Sequence, residues 1–187
     1  MAQLPILTPR LCLRNLNHKD IPDILDILTH PSVARILTMK ADELSVKEYI
    51  DKQNSYLPFQ EEKYYDLAVE YKEEGKVIGL IGILCKPHHQ GAVGWSIGMD
   101  YQRKGFALEG ARALMTFAFR TLGLHRIYAI TSNINTPSWK LMERLGMRRE
   151  AHLRETELRD GQWIDQFIYA ILKNEWQVKD QPKKWTN

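Results

Sequence analysis

Apolar and polar residues follow two different periods in the first part of the chain. Leu11 and Leu13 alternate with polar or small neighbours, a period of two that predicts an opening strand. Asp20, a favourable capping residue, then precedes a helical pattern that Pro31 is expected to stop. The apolar face of this predicted helix consists of Ile21, Ile24, Leu25 and Leu28.

A second helical stretch is predicted over residues 45–59. Ser45 is followed three residues later by Glu48, which is the spacing of a capping box at a helix N-terminus. We therefore expect this helix to begin close to Ser45.

Three strand patterns joined by short turns come after the second helix. Residues 66–71 alternate, residues 77–84 are strongly apolar, and residues 93–99 form the third pattern. Gly75 and the segment 88–91 supply the turn residues between them. Strands with such short connections pair antiparallel, so a meander is expected.

A long helix and a parallel strand are predicted after the meander. The apolar face of the helix consists of Leu108, Ala111, Met115, Ala118 and Leu122. Gly123 ends the helix, and a short strand over residues 127–131 follows. Because a helix separates this strand from the previous one, the two are expected to pair in parallel.

The final predicted elements are a helix and a hairpin. Residues 137–145 have a helical pattern that ends at Gly146. Two strand patterns, over residues 148–158 and 163–172, are joined by Asp160-Gly161, which is typical of a two-residue hairpin turn.

The element order predicts a mixed α/β, or α+β, fold rather than a regular doubly wound one. The chain of 187 residues suits one domain, which we assign to residues 1–178, with a polar tail over residues 179–187. The formal net charge of +3 is too small to indicate nucleic-acid binding, although it allows a local basic patch for an anionic cofactor.

Cysteine usage and hydropathy predict a reduced protein of the cytoplasm. Cys12 and Cys85 each lie in an apolar pattern and are interpreted as small buried hydrophobic residues. No CxxC spacing indicates a metal or redox site, so no metal is expected. The N-terminus lacks a basic start followed by an apolar stretch, and no run reaches the ~18 apolar residues that a membrane span needs.

The candidate chemistry lies between the third strand of the meander and the long helix. The segment Gln102-Arg103-Lys104-Gly105-Phe106-Ala107 leads directly into the helix. The first N–H groups of a helix lack internal partners and bind anions, and Gly105 lets the backbone approach a phosphate closely. We interpret the segment as a pyrophosphate site, with a solvated surface turn as the alternative. It matches neither GxGxxG nor GxxxxGK[ST], which disfavours NAD and ATP.

Several motifs in order resemble one enzyme family. The segment 102–107 resembles the (Q/R)xxGx(G/A) loop of the GCN5-related N-acetyltransferase (GNAT) superfamily. Residues 135–147 resemble its second signature, in which an Asn opens a helix that ends in Leu-Gly-Phe. The opening residues 8–14 and the ending residues 149–176 are similar to the branch of RimJ and RimL, the ribosomal-protein N-terminal acetyltransferases.

The resemblance implies a single domain with a central mixed, mostly antiparallel sheet flanked by helices, and acetyl-CoA as co-substrate. In this family the strand before the loop splays from its neighbour, and the pantetheine arm pairs with the backbone of that strand. The cofactor-binding residues that it implies are Ile97, Gly98, Met99, Gln102, Arg103, Lys104, Gly105, Phe106, Ala107 and Asn135. Core packing is the alternative for Ile97 and Met99, and a helix N-cap is the alternative for Asn135.

The resemblance implies Ser138 as the catalytic residue. Many members use a Tyr donor seven residues after the Asn, but Met142 stands at that position and cannot donate a proton. Ser138 matches the serine of the RimL branch and can donate to the departing thiolate, with a first-turn helix residue as the alternative. Relatives often place a base near residues 91–94, where this chain has no carboxylate. A water chain without a dedicated base is one option, and the remaining candidate bases are Glu70, His88, His89, Glu157 and Asp165.

The acceptor amine stays open at the level of sequence. The branch resemblance implies a protein N-terminal α-amine that attacks the thioester directly, and a polyamine, amino sugar or amino-acid derivative is the main alternative. A non-catalytic acyl-CoA-binding module is a second class, motivated by Met142. Trp95, Tyr64 and Tyr65 are candidates for lining an acceptor pocket, with core packing as the stronger alternative. The branch also raises a homodimer as an expectation, for which no residue in the sequence is evidence.

Overall fold

A computed structural model describes residues 4–30 and 40–179 of the chain. Eight strands form one sheet in this part of the molecule. In chain order they are β1 (Ile6–Leu7), β2 (Leu11–Arg14), β3 (Tyr64–Tyr71), β4 (Lys76–Lys86), β5 (Gln90–Ile97), β6 (Arg126–Ser132), β7 (Arg148–Arg159) and β8 (Gln162–Leu172).

Five α-helices accompany the sheet within the same residues. They are α1 (Ile21–Leu28), α2 (Glu43–Asn54), α3 (Phe106–Arg120), α4 (Thr136–Arg144) and α5 (Lys173–Lys179). Short 3₁₀ turns over His18–Asp20 and Met99–Tyr101 precede α1 and the loop to α3. The mixed architecture with a central, mostly antiparallel sheet confirms the predicted fold class.

The sheet has the strand order β1-β2-β3-β4-β5-β6-β8-β7. Every neighbouring pair is antiparallel except β5 and β6, which pair in parallel across the α3 connection, as the sequence predicted. The predicted Asp160-Gly161 hairpin also forms: both residues have positive φ, 50° and 78°, which suits a two-residue turn between twisted strands.

Helices cover the sheet on both faces. The larger apolar cluster lies between the sheet and α3, α4 and α5, and includes Leu114, Met115 and Tyr169. The smaller cluster lies under α1 and α2 and joins Ile24 and Ile50 to strand residues such as Leu80. Because α1 packs mainly on β4, the cover on this second face is concentrated on the first half of the sheet.

The predicted start of the second helix is wrong. Helix α2 begins at Glu43, and its N-cap is Asp42, whose carboxylate accepts bonds from both the N–H (2.8 Å) and the hydroxyl (2.9 Å) of Ser45. An ionised carboxylate at the N-cap also meets the positive end of the helix dipole, so Asp42 caps in preference to Ser45. The helix ends at Asn54 rather than Phe59, which has φ of 60°. Pro31 lies outside the described residues.

The third strand of the meander, Gln90–Ile97, begins and ends earlier than the predicted residues 93–99. It ends at Ile97, and Met99 begins a 3₁₀ turn instead of continuing the strand. The N–H of Gly98 still donates to the carbonyl of Ile78 at 2.8 Å, which makes Gly98 the last residue tied to β4.

Two short elements were missed, β1 and α5. Strand β1 has only two residues and pairs with β2, while α5 continues directly from β8 and buries Trp176 against Phe119 at 5.8 Å between ring centroids. Lys179 ends α5, and the rest of the predicted tail lies outside the described residues.

Candidate active site

The sheet opens between β5 and β6. The two strands pair over only three residue positions, from Gln90–Arg126 to Ala92–Tyr128, and no pair follows. Backbone groups alternate in direction along a strand, and the N–H of Gly98 points to β4. The N–H groups of Trp95 and Ile97 therefore point into the opening and lack a strand partner, which leaves them free for a ligand.

The opening leads to the N-terminus of α3, a helix of 15 residues. Gly105 is its N-cap and has φ of 84°, a left-handed conformation that favours glycine. Within the described residues, no carbonyl or side chain accepts a hydrogen bond from the backbone N–H groups of residues 103–107. These free donors, the helix dipole and the exposed side chains of Arg103 and Lys104 together suit an anion.

Gln102 braces this loop. Its side-chain Nε2 donates to the carbonyl of Ile97 at 2.9 Å, and its backbone N–H donates to Met99 at 3.2 Å. Gln102 therefore holds the backbone between β5 and α3 in place. It also occupies the carbonyl of Ile97, one of the two backbone groups that this residue directs into the opening.

Arg10 clamps the loop from the other side, a contact that sequence reasoning missed. Its guanidinium donates to the carbonyl of Lys104 at 3.0 Å and to Glu109 at 2.7 Å, and lies 4.3 Å from the centroid of the Phe106 ring. Burial acts to raise the pKa of Glu109, but hydrogen bonds from Thr8 and Arg10 outweigh it and lower that pKa. The clamp is non-local, joining segments almost a hundred residues apart, so no local signal could have revealed it.

The N-terminus of α4 lies beside the end of β6. Asn135 is its N-cap, and its side-chain oxygen faces the N–H of Ser138 at 3.4 Å, a long bond that leaves the side-chain amide nitrogen available. Ser138 is half-buried in the first turn, while Met142 is 2% exposed and belongs to the core. The side-chain oxygen of Asn133, two residues before Asn135, is buried without a hydrogen-bond partner among the described residues.

The structure does not bring the candidate bases together at this site. Glu70 is paired with Arg14 at 2.6 Å, and Glu157 with Arg159 at 2.6 Å. Asp165 is held by the N–H of Glu155 and by His152, and both bonds lower its pKa. His88 and His89 lie in the β4–β5 turn, at the end of β5 opposite to the loop.

A different carboxylate lies on the face covered by α2. Asp66 accepts a hydrogen bond of 2.6 Å from the hydroxyl of Tyr49, and burial raises its pKa to about 6 despite this bond. Tyr64 lies beside it with 37% of its surface exposed, whereas Tyr65 is 3% exposed and packs in the core. Trp95 packs half-buried against the larger cluster. Asp66 is one polar residue in an alternating strand, so only the sheet register, which sequence patterns do not give, shows what it faces.

A sheet that opens between two parallel strands, with a helix N-terminus at the opening, has the shape and the free donors to suit an extended ligand that ends in phosphate. Residues 10–148 match the model of the acetyltransferase (GNAT) domain. The chain belongs to the GNAT acetyltransferase family. It is an acyltransferase of the N-acetyltransferase class, whose members use acetyl-CoA as co-substrate.

Curated relatives and solved structures agree with this assignment. The chain is 30% identical over 174 residues to the uncharacterized N-acetyltransferase YnaD of Bacillus subtilis (strain 168), covering 91% of this chain and 98% of that protein. It is 32% identical over 107 residues to the [ribosomal protein uS5]-alanine N-acetyltransferase of Escherichia coli (strain K12), covering 56% and 55% of the two chains. A GNAT-family acetyltransferase from Bacillus anthracis superimposes with a TM-score of 0.79 at 27% identity, covering 91% of this chain and 99% of that one.

No group of three or more His, Cys, Asp and Glu side chains within residues 4–30 and 40–179 is arranged to hold a metal ion. No helix in this part of the chain is long and apolar enough to cross a membrane.

Proposed function

We propose that this protein transfers the acetyl group of acetyl-CoA to a primary amine, with a protein N-terminal α-amine as the first candidate acceptor. The observation that supports it best is the opening between β5 and β6, because its unpaired backbone N–H groups lead directly to the free helix N-terminus of α3. This arrangement fits a long, flexible donor with amide groups along its arm and phosphates at its end.

Each part of the site either contacts a different portion of that donor or supports the residues that do. The free N–H groups of residues 103–107 bind the pyrophosphate, with Arg103 and Lys104 adding charge. The backbone of Trp95 and Ile97 holds the pantetheine arm, and the amide of Asn135 donates to it from the opposite side. Gln102 and Arg10 keep the loop in place and do not need to touch the donor.

The chemistry needs a neutral amine and a proton for the departing thiolate. Acetyl-CoA supplies an activated acyl carbon, and the protein places the amine against it, which provides much of the rate by proximity. Ser138 lies in the first turn of α4, where its hydroxyl donates to the thiolate and the positive end of the helix dipole stabilises it. Met142 is buried and takes no part.

A surface with a single charge supports a peptide acceptor over a polycation. Among the strand residues on the α2 face beside the opening (Tyr64, Asp66, Gly82, Gly94 and Ile130), only Asp66 carries a charge, and Ile130 is 51% exposed. An α-amine with an aliphatic neighbour suits this surface. A relative that acts on an alanine of a ribosomal protein points to the same class of acceptor.

The proposed function is tested in two stages. Calorimetric titration with acetyl-CoA, with NADH and ATP as controls, measures donor binding, and we expect micromolar affinity for acetyl-CoA alone. A transfer assay then compares peptides with free N-termini, N-terminally blocked peptides that retain a lysine, spermidine and an amino sugar. Preferred acetylation of free N-termini supports the proposal, and preferred acetylation of spermidine or the amino sugar replaces it with a small-molecule activity. Tight donor binding without turnover of any amine would instead support a non-catalytic acyl-CoA-binding module.

A further inference from the structure

A row of glycines makes a shallow depression on the α2 face of the sheet. In register, Asp66 of β3 lies opposite Gly82 of β4, and Gly82 lies opposite Gly94 of β5. A β-carbon on Gly82 would lie 2.4 Å from a carboxylate oxygen of Asp66 and 2.5 Å from the Tyr64 ring. Because neither glycine has a side chain, the ring of Tyr64 can lie across the row.

The Tyr64 hydroxyl reaches the edge of the opening. A β-carbon on Gly94 would lie 2.5 Å from this hydroxyl oxygen, so the phenol extends from Asp66 to β5. Gly94 follows Ala92, the last residue of β5 that pairs with β6, and so lies where the strands separate. Tyr64 is 37% exposed, and no residue in the described part of the chain forms a hydrogen bond with its hydroxyl.

Asp66 lies behind Tyr64 without a cationic partner among the described residues. Tyr49 donates to one of its oxygens at 2.6 Å, and its own N–H donates to the side chain of Gln53 at 3.1 Å. Tyr49 from α2 and Tyr64 from β3 are the titratable groups that face it, while β4 presents only Gly82. A fixed carboxylate that no cation of the protein neutralises is suited to attract a cation from outside.

We propose that Tyr64 and Asp66 form the acceptor-amine subsite: the Tyr64 hydroxyl contacts the amine at the opening, and Asp66 behind it attracts the ammonium form and receives its proton. This inference rests on the proposed transfer to a primary amine. It assigns the proton acceptor to β3, a strand on which the sequence suggested only Glu70 for that role.

The protons balance along this path. The acceptor ammonium gives one proton to the carboxylate of Asp66 by way of the Tyr64 hydroxyl and a bridging water, and the freed nitrogen lone pair forms the C–N bond with the thioester carbon. When the C–S bond breaks, the nitrogen loses its second proton to solvent, and the thiolate takes one from Ser138, which regains its proton from water. Asp66 then releases its proton to solvent, so the net products are the amide, the thiol and one proton.

The ionisation of Asp66 should make kcat/KM depend on pH. The carboxylate must be ionised to receive a proton, and its pKa is about 6. The kcat/KM of the wild type for its best amine is therefore expected to fall as the pH is lowered through about 6. In Tyr49→Phe the hydrogen bond that lowers the Asp66 pKa is lost, so this acid limb should move to higher pH.

Three variants of the intact protein separate the roles. Asp66→Asn is expected to lower kcat/KM for the amine about a hundredfold and to abolish the acid limb. Tyr64→Phe is expected to lower kcat/KM about tenfold. Both should keep the wild-type dissociation constant for acetyl-CoA. Asp51→Asn, which removes an exposed carboxylate on α2, is the matched control and should change neither quantity.

The outcomes distinguish this inference from the proposed function. If the wild type acetylates amines and the folded Asp66→Asn and Tyr64→Phe variants retain its kcat/KM and pH profile, the subsite is wrong and the transferase stands. If the wild type acetylates no amine, the proposed function fails, and an NMR titration of an N-terminal peptide into the protein–CoA complex still decides the subsite. Weaker peptide binding by Asp66→Asn supports it, whereas equal binding, or none by the wild type, overturns it.

Discussion

Gly105 combines a positive φ of 84° with a position at the N-terminus of α3. A β-carbon there would meet only the Arg10 guanidinium, at 3.4 Å, so the nearby space is open to a ligand. We expect Gly105→Glu to weaken acetyl-CoA binding at least about a hundredfold, because its carboxylate would repel the pyrophosphate. Calorimetric titration of the folded variant measures this change.

Gly123 provides the matched control for that substitution. It also has positive φ, 70°, and lies just after the C-terminus of α3 with no atom within 4 Å of an added β-carbon. Gly123→Glu should cause a similar loss of thermal stability from backbone strain, yet keep the wild-type affinity for acetyl-CoA. Equal affinities in the two glutamate variants would show that the loop is not a phosphate site.

Ser138 is predicted to act on the rate and not on donor binding. We expect Ser138→Ala to lower kcat by about tenfold to a hundredfold, because the thiolate loses its hydrogen-bond donor. The dissociation constant for acetyl-CoA, measured by calorimetry, should change less than about twofold. Ser45→Ala is a control in the first turn of a different helix and should leave kcat unchanged. A Ser138→Ala variant with wild-type kcat would remove this residue from the mechanism.

The ionised form of Asp66 should lower the free energy of unfolding of the protein. Its pKa is raised to about 6 in the folded state, so the folded protein holds a proton that the unfolded chain releases at lower pH. The contribution of this group to stability is therefore lost as the pH rises from about 4 to about 6, by at most about 3 kcal/mol. Asp66→Asn should raise the melting temperature at pH 7.5 more than at pH 4, measured by calorimetric thermal unfolding. A variant less stable than the wild type at pH 7.5 would contradict the raised pKa.

At the scale of elements, local motifs and pairing partners differ in how well the sequence predicts them. The position of the loop from β5 to α3 could be predicted because its pattern lies within residues 102–107, and the helix face and hairpin turn are also local patterns. Arg10 and Asp66 were missed because their contacts depend on strand register and on segments distant in the chain. The start of α2 was misplaced because Ser45 and Asp42 both suit an N-cap, and only the geometry decides between them.

The identity of the N-cap residue of α2 can be tested by mutation. Asp42→Ala should destabilise the protein, because the N–H of Ser45 loses its acceptor. Ser45→Ala retains that backbone bond and should cost less. Urea unfolding of both variants measures the two free energies of unfolding, and a larger loss for Ser45→Ala would place the cap at Ser45 instead.

At the scale of the whole molecule, the sheet consists of two parts that pair with each other over only a short stretch. Strands β1–β5 form one part and β6, β8 and β7 the other, joined by three residue pairs and by the packing of α3. A donor bound in the opening would bridge both parts. We expect acetyl-CoA to slow amide hydrogen exchange in residues 93–97 and 129–132 more than in β7, measured by mass spectrometry. Protection spread evenly over the sheet would argue against binding in the opening.

The donor side and the acceptor side of the site consist of different kinds of chemical groups. The groups assigned to the donor are largely main-chain N–H groups along β5 and at the start of α3, which most side-chain replacements leave in place. The groups assigned to the acceptor are the side chains of Tyr64 and Asp66, which a single substitution removes. Divergence can therefore redirect the chain to a new amine in one or two steps while its use of the same thioester persists, and acceptor preference should change between homologues long before the family itself becomes hard to recognise.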